Sequence, residues 1–314
     1  MAKPTLKTVT RTQGNNAALK DGTVAPAGFA FDFEEVPVLV QAFRRMVRRL
    51  EFDVCEMAFT TYLCAKAHGT PFTALPIFLV RGFHHGAIMY NTTVGIEGAK
   101  DLEGRRVGVN RGYTVTTGVW ARGILQDEHG VALDRVTWVP SGDEHVSEYR
   151  HPGNVVPMEP GKELSDLVAS GELAAVVGTK IDHPDVEPLI ADADDAGYAA
   201  LRRDGLYPIN HLVVVKDELL EEHPGLAVDV FNAFAEAKER YVTRLRDGEI
   251  EDATPTDRMY QRVMQVIDDP LPYGVEPNRV MIDKLIDHAV RQRIVDRPPA
   301  VNSLFAEAAH DLIA

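Results

Sequence analysis

Three side chains of this 314-residue sequence stand out as groups that can move a proton. They are His85 in Arg81-Gly-Phe-His-His-Gly86, His211 in Tyr207-Pro-Ile-Asn-His211, and Glu56 in Cys55-Glu-Met57. An imidazole takes and returns a proton near neutral pH, which suits general acid–base work. A carboxylate beside it orients the ring or accepts a proton itself. His84 and His85 are adjacent, so on an extended chain they face opposite sides and do not share one metal. One of them is free to face a ligand while the other packs. Arg81 supplies a planar fork that fits a carboxylate in bidentate fashion. A metal held by His85, His211 and Glu56 has no spacing rule behind it, and no metal is expected.

Hydroxyls cluster in three strand-to-helix loops. The first carries Thr60 and Thr61, the second Arg111, Thr114 and Thr116, and the third is Gly178-Thr-Lys180. Open N–H groups at a helix start suit a carboxylate or phosphate, and hydroxyls add hydrogen bonds. Threonines there are equally ordinary helix caps. Three such loops in one chain favour an anion site. Other charges read as plain surface. Arg44, Arg45, Arg48 and Arg49 form the wet face of a helix, Asp192, Asp194 and Asp195 a solvated turn, and Glu34 and Glu35 a strand exterior. Asp143, Glu144 and His145 read as loop. There is no GxGxxG, Walker A, GxSxG or HExxH motif, so nucleotide binding is not expected.

Patterning places these residues on alternating strands and helices. Strands are expected at Leu6–Thr10, Phe29–Val36, Phe52–Met57, Phe72–Val80 and Gly86–Asn91, with helices at Val38–Leu50 and from Thr60 or Thr61 to His68. A second series has strands at Arg106–Val109, Val136–Val139, Ala174–Gly178 and Leu212–Val215, with helices at Val119–Glu128 and Leu164–Ser170. From Pro224 the chain reads as helix. The βαβ order implies α/β lobes with largely parallel sheets. The first lobe is expected to be residues 1–90 plus 212–314, with a helical C-terminal segment, and the second 91–211. Two crossings, near Ala87–Asn91 and Tyr207–Val213, then put a ligand cleft between the lobes, lined by Glu56, Thr60, Arg81, His85, Thr114 and His211.

Apolar residues make up 45% of the chain, which is globular composition. Lys and Arg number 33 against 47 Asp and Glu, a net charge of −14, so nucleic acid and anionic membrane surfaces are not expected partners. No apolar run approaches the ~18 residues of a membrane span. The polar start, Met1–Thr12, has no signal-peptide core, so a cytoplasmic protein with Cys55 and Cys64 reduced is expected.

Several blocks are recognisable. Phe43-Arg-Arg-Met-Val-Arg-Arg-Leu-Glu-Phe-Asp-Val-Cys-Glu-Met57 and Arg81-Gly-Phe-His-His-Gly-Ala-Ile-Met-Tyr-Asn91 resemble stretches of 4,5-dihydroxyphthalate decarboxylases. So do Asp101-Leu-Glu-Gly-Arg-Arg-Val-Gly-Val109, Val119-Trp-Ala-Arg-Gly-Ile-Leu125 and Gly205-Leu-Tyr-Pro-Ile-Asn-His211. The resemblance implies an α/β, two-lobed type II periplasmic-binding-protein-like fold put to enzymatic use. It implies a carboxy-lyase, cofactor-independent or metal-assisted, that decarboxylates a hydroxylated aromatic (di)carboxylic acid without oxidation. On that reading His85, His211 and Glu56 are catalytic, and Arg81, His84, Arg111, Thr60, Thr61, Thr114 and Thr116 bind substrate. The expected partner is a small aromatic carboxylate, with homo-oligomerisation left open. The alternative is a solute-binding or sensor protein of the same fold, holding a small organic anion without chemistry. Fold alone does not separate the two.

Overall fold

A computed structural model describes residues 3–314. The chain opens with β1 (Thr5–Val9), the single helical turn α1 (Ala17–Lys20) and β2 (Ala30–Phe33). Helix α2 (Leu39–Arg49) buries Leu39, Ala42, Phe43 and Met46, one stripe at helical spacing. Its last turn is basic, and Leu50 stops it in the left-handed region at φ 50°. Strand β3 (Val54–Ala58) is buried along its whole length and runs straight into α3 (Phe59–Ala67). Strand β4 (Phe72–Arg81) follows.

The second series begins with β5 (Ile88–Asn91), β6 (Arg106–Val109) and α4 (Thr116–Asp127). It continues with β7 (Thr137–Pro140), α5 (Leu164–Ala169), β8 (Ala175–Val177), β9 (Val186–Pro188) and α6 (Ala193–Asp204). The chain then returns through β10 (Ile209–Lys216) to α7 (Asp217–Glu222), α8 (Leu226–Arg246), α9 (Pro255–Val263) and α10 (Arg279–Arg291). Among the described residues no helix is long and apolar enough to cross a membrane.

Two compact units result. The first holds the chain through Arg81, Ile209–Asp283 and Pro299–Ala314; the second holds Gly82–Pro208 and Lys284–Pro298. The passages at Arg81–Gly82 and Pro208–Ile209 bracket the longer segment of the second unit. The division departs from 1–90 plus 212–314 against 91–211 at two places. Residues 82–90 join the second unit because β5 pairs there with β8 and β9. Residues 284–298 join it because Arg122 Nε donates to Gln292 Oε1 at 2.8 Å and the His288 ring stands edge-on to Trp120.

Each sheet has five strands, in the orders β2-β1-β3-β10-β4 and β7-β6-β8-β5-β9. Neither is as parallel as expected. β1 runs parallel to β2 and β3, but β10 enters antiparallel between β3 and β4. In the second sheet β6 is parallel to β7 and β8, and β5 is antiparallel to its neighbours. A returning strand must fill the gap a parallel crossover would leave, and it arrives from the other end. The aspartates expected in a solvated turn instead open α6: Asp194 and Asp195 occupy its first turn, where carboxylates suit the helix dipole. Gly205, at φ 72°, ends that helix in the left-handed region. Cys55 and Cys64 are both free and buried.

Gly123 tests the packing of the second unit. Glycine in a helix interior is ordinarily about 1 kcal/mol worse than alanine. Here an added Cβ would lie 2.5 Å from His288 Nε2 and 2.6 Å from Cε1. That ring is buried, pushed to a pKa of about 4, and receives Arg291 Nη2 on Nδ1 at 2.9 Å. Overpacking costs roughly 1–3 kcal/mol, enough to outweigh the helix gain. Gly123→Ala is therefore expected to lower Tm; a raised Tm would show that the His288 ring has room to yield.

Candidate functional site

In the first unit, sheet register brings two of the expected residues together. β10 lies antiparallel to β3 with His211 opposite Ala58 and Val213 opposite Glu56. His211 and Glu56 are thus diagonal neighbours on one sheet face, within reach of each other's side chains. His211 Nδ1 lies 2.6 Å from Glu56 Oε1. The other carboxylate oxygen, Oε2, accepts the Arg11 N–H at 2.8 Å. Glu56 is fully buried, so its charge needs both partners. The carboxylate accepts, so Nδ1 carries a proton and Nε2 turns away from the pair. Nε2 has no protein partner among the described residues, and 16% of the His211 side chain is exposed. Phe43 packs edge-on against the ring at 5.2 Å and fixes its plane.

Arg81 ends β4 opposite Ile209, two residues along β10 from His211 and roughly 7 Å away along the strand. It is buried, its Nη2 donates to Asn278 Oδ1, and its guanidinium sits 5.8 Å from the Phe78 ring centre. Asn278 is in turn held by its amide, which donates to the Pro272 and Gly274 carbonyls. Thr60 and Thr61 do not cap α3. The helix begins at Phe59 with Ala58 as the capping residue, and both threonines lie buried in its first turn.

The second unit holds the remaining expected residues. His85 is fully buried in a short 3-10 turn, and its Nε2 meets Glu128 Oε1 at 3.2 Å. His84, 5% exposed, precedes that turn. Thr116 is the first residue of α4, after Val115. Arg111 takes a left-handed φ of 67°, unusual for a side chain with a Cβ, and its N–H donates to Ser141 Oγ at 2.9 Å. In the loop before α4, donors converge on a carboxylate, and that carboxylate is the protein's own. Tyr113 N–H donates to Glu144 Oε1 at 2.6 Å, and Thr114 donates to Oε2 through N–H at 3.1 Å and Oγ1 at 2.6 Å. His151 Nε2 reaches Oε1 at 2.8 Å. A Cβ on Gly112 would lie 2.7 Å from Oε2, so only glycine allows this approach. Glu144 had read as a plain loop residue; nothing local in the sequence marks a loop acid as the ligand of a neighbouring loop's N–H groups.

Among the described residues, no three His, Cys, Asp or Glu side chains gather as a metal cluster. Sequence reading also passed over Arg11, whose peptide N–H holds Glu56. An arginine's main chain carries no type-specific signal.

Comparison with known proteins places the chain. No protein-family profile matches it. It is 31% identical over 268 residues to a 4,5-dihydroxyphthalate decarboxylase of Comamonas testosteroni, covering 79% of this chain and 81% of that protein. It belongs to the 4,5-dihydroxyphthalate decarboxylase family. A second relative of that name, from Pseudomonas putida, is 37% identical over 171 residues, 50% of this chain and 66% of its own length. Among solved structures, it is similar to the periplasmic aliphatic sulphonate binding protein SsuA of Escherichia coli, with a TM-score of 0.55 at 12% identity over 97% of this chain and 92% of that one. The desulfurization enzyme DSZB gives 0.54 at 14% identity, over 97% and 96%. A Candida albicans gene product with the generic periplasmic binding protein fold gives 0.53 at 15%, over 98% of both chains. At these identities the likeness speaks for the fold alone, which is α/β and type II periplasmic-binding-protein-like.

The Glu144 cluster has a measurable charge. Burial pushes its carboxyl up, but hydrogen bonds from His151, Thr114 and the Thr114 and Tyr113 N–H groups outweigh that and hold it below the ordinary 4.5. The ionised group thus contributes stability that is complete above pH 4.5 and is lost as pH falls through the folded-state value. Glu144→Gln is expected to lower Tm at about pH 6, with the gap to wild type closing toward about pH 3. A gap that stays constant with pH would show that the carboxylate charge is not what the loop binds.

Proposed function

We propose that this protein is a non-oxidative decarboxylase of a hydroxylated aromatic dicarboxylic acid, 4,5-dihydroxyphthalate or a close relative of it. Family membership supports the reaction class, and one observation supports the machinery: a histidine oriented by a buried glutamate, with its second nitrogen unpartnered. We assign proton transfer to His211 rather than His85, because His211 keeps an open edge while the His85 ring is enclosed and engaged by Glu128.

The chemistry follows from the substrate. A hydroxyl para to the departing carboxylate loses its proton, and the oxygen pushes an electron pair into the ring. The ring carbon bearing that carboxylate takes a proton. The carbon–carboxylate bond then breaks, its electron pair restores the aromatic ring, and CO2 leaves. The phenol regains its proton, so one proton is consumed overall. His211 Nε2 is the protein atom that takes or returns a proton in this sequence. Glu56 is a positioning residue: it holds Nδ1–H, fixes which nitrogen carries the lone pair, and stabilises the ring when Nε2 is protonated. The retained carboxylate has to be gripped harder than the departing one, or binding stabilises the reactant over the transition state.

The test measures CO2 release from 4,5-dihydroxyphthalate and a panel of hydroxybenzoates, with Tm recorded on the same protein. His211→Ala is expected to lower kcat by roughly 10²–10⁴-fold with Tm near wild type. Glu56→Gln is expected to lower kcat with KM little changed. Near-normal turnover in folded His211→Ala would remove that residue from the mechanism. Tight binding of panel acids without CO2 release from any of them would favour the solute-binding alternative.

A further inference from the structure

One cavity of the first unit starts at the residue that holds Glu56. It has a volume of about 440 Å³, within the range of small-molecule sites. Arg11, Gln13 and Asn15 bound it on one side, and Arg244, Thr256 and Tyr260 on another. Three features mark it as a built site.

The first is charge. Among the described residues the Arg11 and Arg244 guanidiniums have no carboxylate, carbonyl or ring partner, while arginines elsewhere, such as Arg45, Arg135 and Arg279, are paired. The acid in the wall, Asp257, is engaged internally. Its Oδ1 accepts the Tyr241 hydroxyl, and its Oδ2 accepts the Thr254 N–H and hydroxyl at 2.7 Å each. With two guanidiniums against one carboxylate, the cavity lining carries net positive charge inside a chain of net charge −14.

The second feature is a pair of unanswered amide groups. Asn15 is 2% exposed, and its Nδ2 donates to the Leu79 carbonyl at 2.9 Å, which leaves Oδ1 buried without a donor. Gln13 Nε2 is likewise buried without an acceptor. Buried polar atoms are seldom left this way unless a ligand or water completes them. The third is Tyr260. Its phenol is neutral at working pH, and burial pushes it further up, to about 12, so it adds no negative charge.

We propose that this cavity is the specificity subsite for a dihydroxylated aromatic dicarboxylate. Arg11 and Arg244 hold the carboxylate that the product retains, and Asn15 Oδ1 accepts a hydrogen bond from a ring hydroxyl. The assignment rests on the decarboxylase reading above, and it makes Arg11, Arg244 and Asn15 binding residues. Two guanidiniums match a carboxylate, and a lone amide oxygen calls for a hydroxyl donor.

The experiment uses the full-length protein with three probes: phthalate, which has both carboxylates and no hydroxyl; catechol, which has the hydroxyls alone; and benzoate. Calorimetric binding is compared for wild type, Arg11→Gln and Arg244→Gln, and KM and kcat are measured on 4,5-dihydroxyphthalate. Arg11→Gln keeps the peptide N–H on which Glu56 rests, so it tests the side chain. Loss of one charge-assisted hydrogen bond is expected to weaken phthalate binding and raise KM by roughly 10–100-fold, with kcat affected far less. Catechol binding is expected to be unchanged in both arginine variants and reduced in Asn15→Ala. Unchanged phthalate binding and KM in both arginine variants, with turnover intact, would overturn the subsite and leave the reaction standing. Phthalate binding that depends on both arginines, with no CO2 released from any acid, would overturn the reaction and leave the subsite standing.

Discussion

A carboxylate sealed from water has to be answered by the protein, and in the first unit that requirement falls on Glu56. Its answer comes from strand placement. Because β10 enters antiparallel between β3 and β4, a histidine 155 residues away lands one diagonal step from the glutamate. A one-residue slip would carry His211 to the other face of the sheet and leave a buried charge unpaired, so the register and the pair specify each other. The ladder toward β3 is regular, whereas the ladder toward β4 is irregular on both sides of His211. Irregularities of this kind re-aim side chains beside functional sites. Here the strand keeps its grip on the glutamate side while its other edge relaxes around the histidine.

The second unit meets the same requirement differently. Glu144 has no cross-strand partner. It is held by two successive N–H groups, a threonine hydroxyl and His151, with Gly112 making room. Donor groups before a helix were expected to welcome a ligand's carboxylate, and the fold satisfies them with its own. Those donors hold an anion here, and which anion depends on a loop 30 residues downstream.

Legibility in the sequence follows the range of the interactions. Strands β1, β3, β4, β6, β7 and β8 and helices α2, α4, α5, α9 and α10 announce themselves through local periodicity. The elements that were missed, β9, α6 and α7, are short or carry their acids where a turn would also want them. Family blocks point to Glu56 and His211 one at a time, but their 2.6 Å approach depends on a nonlocal antiparallel ladder that no local pattern encodes. The mixed character of both sheets escaped for the same reason. Arg11, Asn15 and Arg244 were passed over because each is unremarkable alone, and only the packing of the loop after β1 against α8 and α9 gathers them.

The charge layout bears on how a net-acidic protein can favour loss of CO2. Its overall charge repels a dianion at long range, but beyond about 8 Å at physiological salt that repulsion is largely screened, and local groups decide. Arg11 serves two places at once: it lines the cavity, and its peptide N–H donates to the Glu56 carboxylate. On the proposed subsite, a dicarboxylate seats its retained group on the guanidiniums and leaves its other end clear of them. The reaction discharges that end, since a carboxylate leaves as neutral CO2. Positive charge at the retained group binds reactant and transition state alike, while negative charge near the departing group disfavours the reactant more than the transition state. A clamp of cations at both ends would do the reverse, so cations confined to the retained group are what this chemistry asks for.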